Sequence, residues 1–379
     1  MVEKTRESFL SPVMVGYNLI SQTVAGLATT NTGATIMSED VLSGLLRRIH
    51  LRGALFFNVQ CFGAWVTEAP ASALVSHVVM PASEHVMEYH VLLDGVCWAG
   101  ITGETQFEMN AGDVVLFAHG DAHVMSSAPG LRAEPDLPFL IANLKQRKGL
   151  PFMVRQQDDK RIQSVVPQTE TASYSPAATL LCGFLGCDSG PFNPLLSALP
   201  RVIHARASEL SEDSWAGQLA RLAETESRAA RPGGEAVLER MSEMMFVDLV
   251  RLYLSSVPKN KTGWLAALRD RHVGRVLSLM HSQPAEAWTL EKLSGQAGLS
   301  RSALQDRFVE LVGQPPMHYL RCWRIQLAAT LLVESNAKMA SIAHEVGYES
   351  EEAFSRSFKR AVGQPPATWR RERSVQQIR

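Results

Sequence analysis

The stretch Leu290-Glu-Lys-Leu-Ser-Gly-Gln-Ala-Gly298-Leu-Ser300-Arg-Ser-Ala-Leu304-Gln-Asp-Arg-Phe308-Val-Glu-Leu-Val-Gly313-Gln-Pro-Pro316 is written twice in this chain. Its second copy reads Met339-Ala-Ser-Ile342-Ala-His-Glu-Val-Gly347-Tyr-Glu-Ser350-Glu-Glu-Ala-Phe354-Ser-Arg-Ser-Phe358-Lys-Arg-Ala-Val-Gly363-Gln-Pro-Pro366. From the serine onward the copies are offset by 50 residues (Ser300/Ser350, Leu304/Phe354, Phe308/Phe358). Upstream the offset is 49 (Leu293/Ile342, Ala297/Val346, Gly298/Gly347). The second copy therefore carries one extra residue, between its Gly and its Ser. A duplication that keeps its apolar frame and changes length only at a turn describes two copies of one structural unit.

Each copy predicts a short helix that ends at a Gly, a turn, a Ser, and a second helix. The Gly suits the left-handed position at a helix end, and the Ser can cap the next helix. Helix, Gly turn, helix is the helix-turn-helix pattern, whose second helix enters the DNA major groove. Between the copies a helix of about eighteen residues is predicted from Pro316 to Glu334, with Tyr319, Leu320, Trp323, Leu327, Leu331 and Leu332 as its core stripe. At 1.5 Å per residue it is roughly 27 Å long. That length can set two recognition helices about one DNA turn, roughly 34 Å, apart.

The remaining composition agrees. The chain has 379 residues, 46% of them hydrophobic, which supports two domains or three small ones with real cores. Net charge is -1, but Trp264 to the end holds 16 Lys and Arg against 11 Asp and Glu, so a basic end follows an acidic remainder. Five Cys without paired metal spacing, and no convincing signal peptide, suggest a reducing cytoplasm. No 18-residue apolar run is present, so no membrane contact is expected.

The C-terminal residues resemble the DNA-binding domain of the AraC/XylS family of bacterial transcription regulators. The resemblance covers about Arg271 to Arg371. It rests on Leu304-x3-Phe308, Gly313-Gln-Pro-Pro316, Arg324-x2-Leu-Ala-x2-Leu-Leu332, Ile342-Ala-x2-Val-Gly-Tyr348 and Phe354-Ser-Arg-Ser-Phe-Lys359. It implies base contacts from Ser302, Gln305 and Asp306 in the first unit and from Glu352, Ser355 and Arg356 in the second. Gln suits adenine, Arg guanine, and a carboxylate can accept from cytosine N4. Asp306 departs from the family's frequent basic or amide residue, and is read as holding Arg307 or filtering specificity. Arg301, Arg307, Lys359 and Arg360 are expected at phosphates, which position without specifying. Double-stranded DNA and RNA polymerase are the implied partners, and activation is the more frequent sign in the family.

Further upstream, segments such as Ala54–Val59, Ala73–Met80, His90–Leu93, Cys97–Ile101 and Val114–Phe117 read as short strands between turns, which suggests a β-sandwich or barrel. Residues 126–178 read as a long irregular excursion, followed by a strand at Thr179–Leu185 and a closing segment, Pro191–Pro200. Gly112-Asp-Val-Val-Leu-Phe-Ala-His-Gly120-Asp-Ala-His123 resembles the second cupin motif, with Ala118 where Pro is usual, and Glu88 with Gly95 fits the end of the first. Residues 38–200 thus resemble the cupin-type effector domain of some AraC-family regulators. The His-x-His pair of cupin enzymes is absent, so no catalytic residues, enzyme activity or cofactor are expected. His85, Glu88, His90, His119 and His123 remain metal-ligand candidates, although alternation along a strand opposes all five sharing one site. Cys61 and Cys182 are redox candidates. A small-molecule effector in the barrel is the leading expectation, with Trp65, Trp98 and His123 as pocket candidates. A metal- or thiol-based stress sensor with the same DNA-binding domain is the alternative.

Two helices complete the plan. The first has Trp215, Leu219, Leu222 and Ala223 on one face. The second, about 235–256, is too apolar for an ordinary surface helix, so it is either buried in its own chain or also meets a second subunit as a homodimer. The fold class expected is α+β multidomain: a cupin-like β-barrel with following helices, then an all-α double helix-turn-helix domain. The divisions are 1–37 as a mobile tail, 38–200 as sensor, 207–256 as a helical and dimerising segment, 257–263 as linker and 264–373 as DNA-binding domain, its units at about 290–311 and 339–362. Ser38 is expected to cap a helix carrying Val41, Leu42, Leu45, Leu46 and Ile49, and translation is expected to start at Met1 or Met37.

Overall fold

Two long strands, each shared between two sheets, shape the N-terminal half. The computed structural model describes residues 40–146, 152–158, 160–164, 175–210, 231–258 and 262–377, with 217–218, 221–222 and 225–226. The expectations for the tail, Ser38, the start codon, Trp215, Leu219 and Ala223 fall outside these residues. The described chain opens with α1 (Val41–Leu46), whose cap is Asp40; its carboxylate accepts from the Leu42 N–H and the Ser43 hydroxyl. Val41, Leu42, Leu45 and Ile49 are buried at the expected helical spacing.

Strand β1 (Arg52–Ala69) is followed by a 3-10 turn (Ser72–Leu74), α2 (Ser76–Val79), β2 (His85–Ile101), β3 (Phe107–Asn110), β4 (Val114–Phe117) and β5 (His123–Ser126). Next come α3 (Leu137–Gln146), β6 (Phe152–Asp158), β7 (Lys160–Ser164), β8 (Ala178–Cys187), α4 (Pro194–Ala198) and β9 (Val202–Ala205). The first part of β1 pairs antiparallel with β8 and its last residues with β5. Strand β2 likewise pairs with β8 along its first part and with β5 at its end. The ring β1–β5–β2–β8–β1 is therefore closed, which removes sheet edges and makes a barrel.

Three sequence expectations are corrected here. Ala73–Met80 is helical, not a strand: Val75 and Val79 lie four apart and are both buried, while Leu74 between them is exposed. His90–Leu93 and Cys97–Ile101 are parts of one strand, because Gly95, at φ 88°, lets β2 continue through a register shift rather than turn back. Residues 126–178 are not wholly irregular: they hold α3, β6 and β7, and β6 runs parallel to β1. In addition, β9 extends the sheet beyond Pro200 by pairing with β4.

Helix α5 (Gly234–Ser256) buries Leu238, Met241, Ser242, Met245, Phe246, Leu249 and Val250 in one helical stripe. It lies on β1 so closely that a Cβ on Gly53 would sit 2.5 Å from the Glu239 carbonyl oxygen and 2.6 Å from Ser242 Cβ. The Tyr89 hydroxyl reaches Ser242 Oγ at 2.7 Å, and Ser242 donates to the Leu238 carbonyl, so the helix is tied to the barrel by polar as well as apolar contacts. Val237 remains exposed, and Met244, Val247, Leu252 and Leu254 are half-buried.

The C-terminal half is helical: α6 (Trp264–Arg269), α7 (Val273–Ser282), α8 (Leu290–Ala297), α9 (Arg301–Val312), α10 (Pro316–Glu334), α11 (Met339–Glu345), α12 (Glu351–Val362) and α13 (Pro366–Gln377). One apolar cluster lines the barrel interior, including Phe57, Trp65, Leu92, Val115, Phe117 and Leu180. A second is continuous from Leu45, Leu195 and Leu249 through Leu277 and Trp323 to Phe358, and so joins the barrel's outer layer to the helical half. No helix among the described residues is long and apolar enough to cross a membrane.

Candidate nucleic-acid interface and sensor cavity

The duplicated phrase folds as two helix-turn-helix units with matching caps. In the first, Gly298 ends α8 at φ 68°, and the Leu299 N–H returns to the Ser294 carbonyl. Ser300 Oγ then accepts from the Ala303 N–H at the start of α9. In the second, Gly347 has φ 85°, the Tyr348 N–H returns to Ala343, and Ser350 Oγ accepts from Ala353. Leu304 and Phe308 anchor α9 in the core, as Phe354 and Phe358 anchor α12. Burying these four fixes which faces of α9 and α12 point outward.

Ser302, Asp306, Glu352 and Arg356 are exposed, while Gln305 and Ser355 are half-buried on the same two helices. Lys359 and Arg360 are exposed in the last turn of α12. Arg301 and Arg307 already have acidic partners: Arg301 pairs with Glu291, and Arg307 donates through both Nε and NH2 to Asp270. Arg307 is thus held by Asp270 rather than by the adjacent Asp306. Burial raises the Asp270 carboxyl pKa, but Arg307 and the Val273 and His272 N–H groups outweigh it and hold it below the ordinary carboxylate value. Asp270 caps α7 with the same carboxylate, so this pair braces α7 against α9.

Arg324 was not singled out in the sequence for any role beyond its place in the family pattern. From α10 its guanidinium donates to the carbonyls of Pro284 (2.7 Å), Glu286 (2.8 Å) and Gly347 (3.0 Å). It therefore links the segment before α8 to the turn of the second unit. A Cβ on Gly347 would stand 2.9 Å from Arg324 Cζ and 2.7 Å from Ala285 Cα, so glycine is required there for space as well as for φ.

Inside the barrel lies a small cavity of about 50 Å³. Phe57, Val75, Met125, Leu140, Leu180 and Phe184 make it largely apolar, and Glu88, His90, His123 and Cys182 supply polar and sulfur atoms. Of the proposed pocket residues, His123 lines this cavity; Trp65 is buried in the surrounding core and Trp98 is half-buried. Glu88 and His90 project from the same face of β2, and His123 begins β5 beside them. His90 Nε2 is 2.7 Å from His123 Nε2, and the Glu88 carboxylate oxygens lie 3.8 Å from His90 Nε2 and 4.0 Å from His123 Nε2. His85 and His119 do not join them: their Nε2 atoms donate to the carbonyls of Ala118 and Leu199. Burial also lowers the His85 pKa. Both redox candidates are buried; Cys61 lies in the barrel core and Cys182 at the cavity wall, opposite His90 in the β2–β8 ladder. Period-two alternation placed Glu88 and His90 together, but their meeting with His123 and Cys182 depends on register across three strands.

The two halves also meet through polar contacts. His50, between α1 and β1 at φ 45°, bridges Asp188 after β8 and Glu334 at the end of α10. Gln326 of α10 accepts from the Phe192 N–H at 2.9 Å, and Arg373 of α13 pairs with Glu84. None of these contacts carries a local sequence signal.

Comparison with known proteins matches this architecture. The cupin family model matches residues 40–255 and the helix-turn-helix domain model matches 293–372. A putative AraC-like transcription regulator of Streptomyces lividans is 42% identical over 336 residues, 88% of this chain and 97% of that protein. A putative AraC-like transcription regulator of Streptomyces antibioticus is 30% identical, again over 88% of this chain and 97% of its own length. The HTH-type transcriptional regulator AlkR of Acinetobacter baylyi is 28% identical over 88% of this chain and 99% of its own. With its cupin-type N-terminal domain and its double helix-turn-helix, the chain belongs to the AraC-like family of DNA-binding transcription regulators.

Proposed function

We propose that this regulator is gated by a small molecule entering the barrel cavity, and that it acts in the cytoplasm as a sequence-specific activator without enzymatic activity. The observation that carries the reading is the pairing of an internal, mostly apolar cavity with a barrel whose outer layer shares one core with the helix-turn-helix units. A ligand shifts such a system only through different affinities for two states. The junction of His50, Glu84 and Gln326 with Asp188, Glu334 and Arg373 is the element we assign to switching. Ligand-driven movement of β2 or β8 would alter Glu84 or Asp188, which lie just outside those strands, and so release the DNA-binding half.

Base reading is assigned to Ser302, Gln305, Asp306, Glu352, Ser355 and Arg356, and phosphate contact to Lys359 and Arg360, with Arg301 and Arg307 available only by leaving Glu291 and Asp270. The two units present different side chains, so one chain reads two unlike segments. The half-buried apolar residues of α5 favour a homodimer, and activation implies contact with RNA polymerase. Genome-wide footprinting with the purified chain tests this reading. Discrete asymmetric sites upstream of genes are expected, with occupancy or transcription changed by metabolites related to those genes. Uniform coverage of DNA would instead describe an architectural protein.

A further inference from the structure

We propose that a cavity between α1 and helices α7 and α10 binds a small carboxylate, received by His281 Nδ1–H and Trp323 Nε1–H with Arg48 at the rim. The site is separate from the barrel cavity and goes beyond the function proposed above. Trp323 is 1% exposed, and its Nε1 finds no hydrogen-bond partner among the described residues. His281 Nδ1 is likewise a buried atom without one. Buried polar atoms are nearly always satisfied, so two such atoms on adjoining rings point to an acceptor from outside the chain. The rings stack with centroids 4.1 Å apart, and both line one cavity of about 60 Å³.

The proton positions follow from the partners. Trp264 Nε1 can only donate, and it does so to the Tyr319 oxygen at 2.8 Å. The Tyr319 proton is then directed to His281 Nε2, 2.7 Å away. Burial lowers the His281 pKa to about 3, so the ring is neutral and carries one proton. With Nε2 accepting, that proton sits on Nδ1. Both unpartnered atoms are therefore N–H donors.

Charge selects the ligand. Arg47 and Arg48, just after α1, line the same cavity with the Asp40 carboxylate, which leaves one net positive charge around it. Asp40 is engaged by the Leu42 N–H and the Ser43 hydroxyl. A water could accept from both rings but would leave the positive charge uncompensated. A carboxylate offers two accepting oxygens and neutralises that charge. The volume is about twice a water's share of the liquid, which suits a carboxylate group on a short stem. Val41, Leu42 and Leu45 of α1 share one core with Leu277 of α7 and Trp323 of α10. Helix α1 opens the barrel half and the other two belong to the DNA-binding half, so the bound carboxylate spans both.

The test is an indole N–H NMR titration of the isotope-labelled full-length chain with sodium formate and sodium acetate at fixed ionic strength. The Trp323 signal is the one lost in Trp323→Phe. It should shift downfield and saturate, with half-saturation at about 1–10 mM for so small a ligand, while the other indole signals stay in place. His281→Gln keeps an acceptor for Tyr319 and removes the Nδ1 donor, and should weaken binding at least about 10-fold. Arg48→Gln, at an exposed position, should weaken it about 2- to 5-fold. Should Trp323→Phe or His281→Gln unfold, acetate must still raise the melting temperature of the unaltered chain, and that of Arg48→Gln by less. No saturable shift with either salt leaves the two donors to water and overturns the proposal. So does an equal shift of every indole signal, or undiminished binding in folded His281→Gln, which places the carboxylate elsewhere.

Discussion

Replacing Arg324 with Met keeps the aliphatic stem against α10 and deletes the guanidinium that serves three carbonyls. If each charge-assisted bond were lost outright at about 1.5–3 kcal/mol, the sum would be roughly 5–9 kcal/mol. The Glu286 bond is exposed, so water replaces it at little cost. The bonds to Pro284 and Gly347 are partly buried, and their carbonyls recover only part of their solvation. A loss of about 2–4 kcal/mol remains. For a helical unit of roughly a hundred residues, this lowers the melting temperature by about 10–20 °C. Calorimetry of the full chain reads the size of the effect, and hydrogen exchange in peptides spanning 339–350 reads its location. Arg321→Met, from an exposed position on the same helix, is the control. Arg324→Lys should fall between, because an ammonium lacks the guanidinium's planar fork. Affinity for a two-segment operator should also drop more than affinity for either segment alone, since the staple links the units. A shift below about 5 °C with unchanged exchange would falsify the reasoning, by showing that water replaces the guanidinium fully.

Other outcomes follow from particular contacts. Gly347→Ala should destabilise the second unit by roughly 1–3 kcal/mol, through positive φ and the Ala285 contact; thermal melting equal to the unaltered chain would contradict this. Ser300→Ala and Ser350→Ala should each cost about 1 kcal/mol in denaturant titrations, and an unchanged midpoint would mean that neither cap matters. Arg356→Ala should weaken operator binding by about 1–3 kcal/mol and relax specificity at one base, measured by competition with operator variants; equal loss on random DNA would assign it to phosphate instead. The Asp188 hydrogen bond, and then Glu334, raise the His50 pKa from 6.5 to about 9 against the opposing effect of burial. Its contribution to stability is therefore full below about pH 6.5 and lost as pH rises through about 9. The melting-temperature difference between the unaltered chain and His50→Gln should shrink across that window, and a difference that grows with pH would reverse the assignment.

The sequence alone determined the elements whose signals are local. The paired Gly and Ser positions, the apolar frame of Leu304, Phe308, Phe354 and Phe358, and the long helix from Pro316 are all set by neighbours within a turn or two. Caps and helical periodicity act over such distances, so the double helix-turn-helix could be read directly. The same reasoning misread Ala73–Met80, where β-branched residues suggested a strand and burial at Val75 and Val79 selected a helix. It also passed over α3, β6 and β7; β6 gains its structure by pairing with β1, and β7 by pairing with β6. Only the tertiary structure decided which of the five candidate ligands converge: register across β2, β5 and β8 brought Glu88, His90 and His123 together beside Cys182 and sent His85 and His119 to backbone carbonyls. Only it, too, tied Arg324 to Pro284 and Gly347, and His50 to Glu334. Those contacts join residues 23 to 284 positions apart, and no local propensity encodes a partner at that separation.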